Sequence, residues 1–325
     1  MTFADVVDSV IEAPIAPSFT KVGYQLRSRL EHWTALASYD LTGRTIIVTG
    51  ATSGIGRQSA EEFARLGAHV VIVGRDSAKA RRVQSEIAVR TGSSDLTVAC
   101  ADMAELDQIR ALADQILAAH PRVDVLVHNA GALTGHRSVN SDGVEATVAS
   151  QVLGPFLLTS LLLDAMPEGR PGRVITMSSG GMYATSLTVD NLQMSDADYR
   201  GSEQYARAKR AQVTLNEMWA HRVARTAVVF HALHPGWADT PGVEASLPQF
   251  RRLMKPLLRS PAEGADTLVW LAADDGEPLR TSGDFWLDRR RRRIHRLPST
   301  RRSDTPERRR ELWEWCVAQT DARIQ

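Results

Sequence analysis

The chain has 325 residues, 43% of them hydrophobic and 24% charged, with a formal net charge of +1. That length and composition suit one large α/β domain with a substantial buried core, and the near-neutral balance excludes a global electrostatic pull toward nucleic acid or anionic membrane. Two cysteines, Cys100 and Cys316, share no CxxC or metal-ligand spacing, so free thiols in a reducing compartment are expected, without a disulfide framework or a metal centre.

Met1 to Ser9 lack the basic start and apolar run of a secretory signal, and nowhere do about 18 consecutive apolar residues occur, so a cytoplasmic location is the expectation. Residues 1–43 read as an N-terminal extension. They contain Pro14 and Pro17, then a stretch from Lys21 that suits a short amphipathic helix with Leu26, Leu30 and Trp33 on one side. Packing of this face on the main domain is expected, rather than peripheral membrane contact.

From Arg44 the pattern becomes strands alternating with helices, the signature of a parallel sheet covered on both faces. Thr45-Ile-Ile-Val-Thr49 is the first strand, followed by glycines and a helix from Arg57 to Leu66. Strands follow at Val70–Val73, Leu96–Cys100 and Val123–His128, separated by helices over Ser77–Arg90 and Glu105–Ala119, the latter stopped by His120-Pro121. A long helix over Gly143–Met166 leads to a fifth strand at Arg173–Ser178. The helix Gln204–Val223 leads to a sixth at Ala227–Leu233, and a helix over Ala262–Ala273 precedes a last strand at Asp284–Leu287.

The expected fold is therefore a single Rossmann-type, doubly wound α/β domain over residues 44–287, with a mostly parallel seven-stranded sheet. The tail, 288–325, opens on the unbroken run Arg289–Arg293 and closes on a helix starting at Thr305-Pro306-Glu307, expected to dock through Leu312, Trp313, Trp315 and Val317. The arginines read as a solvated face or as a run balanced by nearby acids. No stacking aromatics interleave them, so no specific nucleic-acid partner is expected.

Thr49-Gly50-Ala51-Thr52-Ser53-Gly54-Ile55-Gly56 stands where a strand must turn sharply into a helix. Glycines there permit the turn, let backbone approach a pyrophosphate and expose amide N–H groups at a helix N-terminus. At the end of the second strand, Val73-Gly74-Arg75-Asp76 occupies the position that recognises an adenosine ribose. Arg75 would pair with a 2′-phosphate and favours NADP(H), with Arg57 as a second cation; Asp76 binding the ribose diol of NAD is the alternative.

Further along, Tyr205-Ala-Arg-Ala-Lys209 sets a phenol and an ammonium four residues apart on one helix face. A lysine so placed favours the phenolate and would draw the tyrosine pKa down toward a range useful for proton transfer. Ser178-Ser179 ends the fifth strand at its carboxyl edge, the side on which ligands bind in such sheets.

These features in this order resemble the short-chain dehydrogenase/reductase family over about residues 43–287. More locally, Met177–Met182, Tyr205–Val213 and His234–Val243 are similar to the dehydrogenase/reductase member twelve group and its retinol-dehydrogenase-like kin. The resemblance implies metal-free hydride transfer with a nicotinamide cofactor. Tyr205 would exchange the proton, and Ser179, with Ser178 as the alternative, would hydrogen-bond the substrate oxygen. Lys209 would also hold the nicotinamide ribose.

It further implies that Gly50, Ser53, Gly54, Ile55 and Gly56 cradle the pyrophosphate, and that Asp102 and Met103 flank the adenine. Asn129, Ala130 and Gly131 would lie beside the ribose, and Pro235, Gly236, Trp237 and Thr240 at the carboxamide. The substrate class implied is a lipophilic alcohol or carbonyl, and pairing through the helices around Tyr205 makes a homodimer an expectation.

Two residues depart from the family pattern. His128 stands where asparagine is usual, and Gln151 stands where the family has an asparagine that organises a proton-relay water. A cofactor-binding protein with weakened catalysis is therefore the alternative to an enzyme, against which Ser179, Tyr205 and Lys209 are all retained.

Overall fold

The computed structural model describes residues 3–12, 16–166 and 170–322; Met1 and Pro14 lie outside them. Eight strands form one sheet in the order β3-β2-β1-β4-β5-β6-β7-β8. They are β1 (Thr45–Thr49), β2 (His69–Gly74), β3 (Leu96–Cys100), β4 (Val125–His128), β5 (Gly172–Met177), β6 (Val228–Leu233), β7 (Asp284–Leu287) and β8 (Arg290–Arg292). Neighbours from β3 across to β7 pair in parallel, and β8 alone runs antiparallel, against β7.

The doubly wound, mostly parallel architecture is the one expected, one strand wider. Strand order reverses between β1 and β4, which opens the crevice for a ligand at the carboxyl ends of these strands. The inner strands carry Ile, Val and Leu on both faces because helices bury both.

The helices that matter here are α1 (Phe3–Glu12), α2 (Lys21–Leu30), α3 (Gly54–Arg65), α4 (Ser77–Thr91), α5 (Leu106–Ala119), α6 (Ala146–Ala165), α7 (Gly201–Arg222), α8 (Pro261–Ala273) and α9 (Pro306–Thr320). One core lies between the sheet and α5, α6 and α7, the other between the sheet and α3, α4 and α8. α6 is apolar nearly all round because it is sunk in the first core. It is not a regular helix throughout, since Ala149–Leu153 forms a π-helical turn.

Both termini fold onto the domain. α9 buries Leu312, Trp313 and Cys316, and the Trp313 ring sits 5.0 Å from Phe156 of α6 and 4.7 Å from Trp219 of α7. Part of the surface these helices would offer a second copy is thus taken by the chain's own C-terminal helix.

At the other end, α2 does not dock by the apolar stripe expected of it. Leu26 stays 36% exposed, and the buried residues are Gly23 and Arg27. Arg27 donates to Asp8 at 2.7 Å and to Asp288 at 2.6 Å, so the helix is held by charge pairing that no hydrophobic periodicity reports. In the Arg289–Arg293 run, Arg291 and Arg293 are exposed and the others are balanced by acids, as expected. Arg290 and Arg292 pair with Asp8, and Arg289 pairs with the buried Asp266 at 2.7 Å.

Candidate active site

The glycine loop turns from β1 into α3 through Gly50 and Gly54, both in the left-handed region with φ of 66° and 55°. A Cβ on Gly50 would lie 2.8 Å from the Ala130 backbone, and one on Gly56 would lie 2.2 Å from the Asn129 amide. Asn129 explains this closeness, because its Nδ2 donates to the carbonyls of Thr49 at 3.0 Å and Gly50 at 3.2 Å. The residue expected beside a ribose therefore also clamps the loop to β4. Thr49 Oγ1 completes the clamp by accepting from the amides of Asn129 and Ala130.

α3 begins at Gly54, has no acidic residue in its first turn and makes no side-chain cap at Ser53. Its opening N–H groups and the helix dipole are thereby left to an anion, and the residues present fit a dinucleotide pyrophosphate. The Ile55 side chain packs against Gly264 of α8.

At the end of β2, Arg75 is exposed, whereas Asp76 accepts from the Lys79 amide at 3.0 Å and caps α4. Arg57 is paired with Glu86 at 2.8 Å. Asp102 accepts from the Ala104 amide in the turn after β3, and Met103 is buried against Gly154.

Tyr205 and Lys209 lie one turn apart on α7, with Lys209 Nζ 5.2 Å from the centre of the Tyr205 ring. Ser179 ends the segment after β5 and accepts from the Gly181 amide, and its hydroxyl is near enough to the Tyr205 phenol to oppose the effect of burial on it. Ser178 is buried and directed at the Lys209 carbonyl, so Ser179 is the serine that shares the site with the tyrosine.

Lys209 is 2% exposed, and its ammonium donates to the Met177 carbonyl at 2.9 Å. Burial depresses Lys209 to about 7. Burial likewise pushes the Tyr205 phenol up to about 12, opposed by the Ser179 hydrogen bond. The phenol thus lies above its ordinary value, the opposite direction to the one expected from Lys209, because burial of the ring is the largest effect on it.

The segment after β6 closes the other side. Thr240 brings its methyl to Gly54, with the Gly54 Cβ position 3.4 Å away. The Trp237 amide and carbonyl are both committed, to the Phe19 carbonyl at 2.8 Å and the Arg259 amide at 2.7 Å. Pro235 gives its carbonyl to Arg259 at 3.3 Å, and the Gly236 amide donates to His234 Nδ1 at 3.0 Å. Phe19 and Arg259 both hold this segment, and neither was singled out by the sequence reading.

Gln151 stands in the π-helical turn of α6. Its Nε2 donates to the Ala132 carbonyl at 2.9 Å, and its side chain fills the space a Cβ on Gly131 would need. Its Oε1 has no partner among the described residues and lines a cavity of about 30 Å³ with His128, Thr159, Gln212 and Asn216. That volume suits roughly one or two waters, held by these polar groups in a wall that Phe156, Leu215, Trp219 and Phe230 complete with apolar side chains. His128 is buried, bonds Thr159 at 2.8 Å, and is pushed by burial down to about 3, so it is neutral and packs rather than binds.

The short chain dehydrogenase profile matches residues 44–249. The chain belongs to the short-chain dehydrogenase/reductase family. It is 36% identical over 296 residues to human dehydrogenase/reductase SDR family member 12, covering 91% of this chain and 92% of that one. It is 35% identical over 276 residues to human retinol dehydrogenase 12, covering 84% and 85% of the two chains. Among solved structures, a short chain dehydrogenase from Escherichia coli CFT073 complexed with NADPH superposes with a TM-score of 0.61 at 25% identity, over 77% of this chain and 98% of that one. As a short-chain dehydrogenase/reductase the chain is an oxidoreductase of the NAD(P)-binding kind, and its retinol-dehydrogenase relatives go with small-molecule alcohol or carbonyl substrates.

Proposed function

We propose that this protein reduces a lipophilic aldehyde or ketone to the alcohol, or runs the reverse oxidation, with NADP(H) as cofactor and Tyr205 as acid/base. The observation that carries the reading is the Tyr205–Ser179 pair beside the buried Lys209, next to a loop built for a pyrophosphate. When bound, the nicotinamide supplies or accepts the hydride. The substrate oxygen would sit within reach of both hydroxyls, Ser179 donating to it and Tyr205 giving it the proton as the carbonyl carbon gains hydride. Lys209 would stabilise the phenolate left behind.

Arg75 supports NADP(H) over NAD(H), because it is exposed beside the loop while Asp76 is engaged as a helix cap. The rings of Trp237, which follows β6, and Phe250 pack 5.2 Å apart, and a substrate body lying against them would be lipophilic.

The test is a screen of hydrophobic aldehydes and ketones with NADPH and NADH side by side. Reduction is expected with NADPH, lost by at least about a hundredfold in Tyr205→Phe. Arg75→Ala should weaken NADPH binding about tenfold and leave NADH unchanged. Undiminished turnover by Tyr205→Phe would sink the mechanism.

A further inference from the structure

Phe19 belongs to the N-terminal arm, outside the segment that carries the family resemblance, yet it is packed into the wall of the site. It is 4% exposed, and its ring centre lies 4.1 Å from His234 and 5.8 Å from Trp237. The residue after Ser179 is Gly180, and a Cβ there would lie 2.9 Å from Phe19 Cε2 and 2.9 Å from His234 Nε2. Gly180 is therefore held against the ring, and a side chain at Gly180 would force the Ser179 turn or the two rings to shift.

The backbone on each side of Phe19 is fixed as firmly. The Phe19 carbonyl accepts from the Trp237 amide at 2.8 Å. Arg259, 1% exposed, donates to the carbonyls of Ser18 at 3.0 Å, Thr20 at 3.2 Å and Pro235 at 3.3 Å. It also pairs with Asp288 at 2.5 Å, and Arg27 binds both Asp288 at 2.6 Å and the Ser18 carbonyl at 3.1 Å. Two buried guanidiniums thus tie Ser18–Thr20 to the Pro235–Trp237 segment, while the Phe19 ring spans from that segment to the Ser179 turn.

We propose that Phe19 is a positioning residue of the active site, setting the separation between the Ser179–Gly180 turn and the Pro235–Trp237 segment. The N-terminal arm is then a working part of the carbonyl side of the site. The inference rests on the reductase reading for its kinetic consequence, but its structural consequence is independent of turnover.

Phe19→Ala and Phe19→Leu in the full chain test it by two readouts, reduction of a hydrophobic aldehyde with NADPH and hydrogen exchange by segment. Phe19→Ala should lower kcat about ten- to hundredfold, the effect of misplacing a reacting group by a fraction of an ångström to an ångström. The NADPH dissociation constant should rise by less than kcat falls, because the pyrophosphate loop lies elsewhere and only the Pro235–Trp237 segment on the carboxamide side is disturbed. Exchange should quicken in residues 177–184 and 234–240 and stay unchanged in β3, and Phe19→Leu should recover most of both effects. If Phe19→Ala does not accumulate as folded protein, Phe19→Val carries the same readouts.

A kcat within twofold of wild type, or exchange that quickens equally in β3, overturns the proposal, as does a leucine variant no better than alanine. If the wild-type chain reduces nothing in the screen, the reductase reading fails and the exchange pattern alone decides whether Phe19 positions the two segments.

Discussion

Lys209 has the Met177 carbonyl as its hydrogen-bond acceptor among the described residues and sits wholly within the protein. An unfolded lysine keeps its proton to about pH 10.4, whereas this one releases it near 7. Between those values the unfolded chain binds more protons, so stability rises with pH; below 7 both states hold the proton and the burial penalty is complete. Lys209→Met should therefore be more stable than wild type at pH 7 by a few kcal/mol, with the gain shrinking toward pH 10. Urea denaturation of both proteins at pH 7, 8.5 and 10 checks this, and a gain independent of pH would count against it. The spacing of Tyr205 and Lys209 was readable in the sequence because four residues make one helical turn. The direction of both pKa shifts was not, because desolvation depends on what the fold lays over the pair.

The strands, the glycine loop and most helices were legible from apolar runs and from turn chemistry, each a local signal. α6 was expected over Gly143–Met166, close to its actual span, but its π-helical turn leaves no mark in the periodicity. β8 was missed for a related reason: three arginines show no alternation, and the partners that hold Arg290 and Arg292, Asp8 and Glu31, lie far away in sequence.

Gln151 shows what the π-helical turn does. It aims the side chain at Gly131, where Cδ and Oε1 lie 3.1 Å from a Cβ position, and at the Ala132 carbonyl. Gly131→Ala should cost about 1–3 kcal/mol by overpacking, and Gln151→Asn a similar amount by losing the Ala132 bond. Because asparagine withdraws one methylene from the contested space, the double variant should be more stable than the sum of the two by about 1 kcal/mol. A double-mutant cycle by chemical denaturation reads that coupling, and simple additivity would mean that Gln151 does not fill the space of Gly131.

Across the whole molecule, the N-terminal arm, the stretch leading into α8 and the turn after β7 meet at Asp288, which is 1% exposed between Arg27 and Arg259. Burial pushes its carboxyl up, but Arg259 and Arg27 together outweigh that and hold it below the usual carboxylate range. Its stabilisation is present above pH about 4 and is lost as pH falls through the lower folded value. Asp288→Asn leaves two guanidiniums buried with no carboxylate between them, which should destabilise the fold by about 3–5 kcal/mol.

The same change should loosen the N-terminal arm before the sheet. The Arg27–Asp288 pair is one of the ties that carry α2, whereas β1 to β6 stand on apolar packing in both cores. Limited proteolysis of Asp288→Asn should therefore cut first within residues 3–30 and leave a resistant fragment beginning near β1, with cleavage slowed in Arg27→Met/Arg259→Met/Asp288→Leu if apolar replacement of the cluster restores packing. Cleavage first at α9 would mean that the arm is held chiefly by contacts other than the Asp288 cluster.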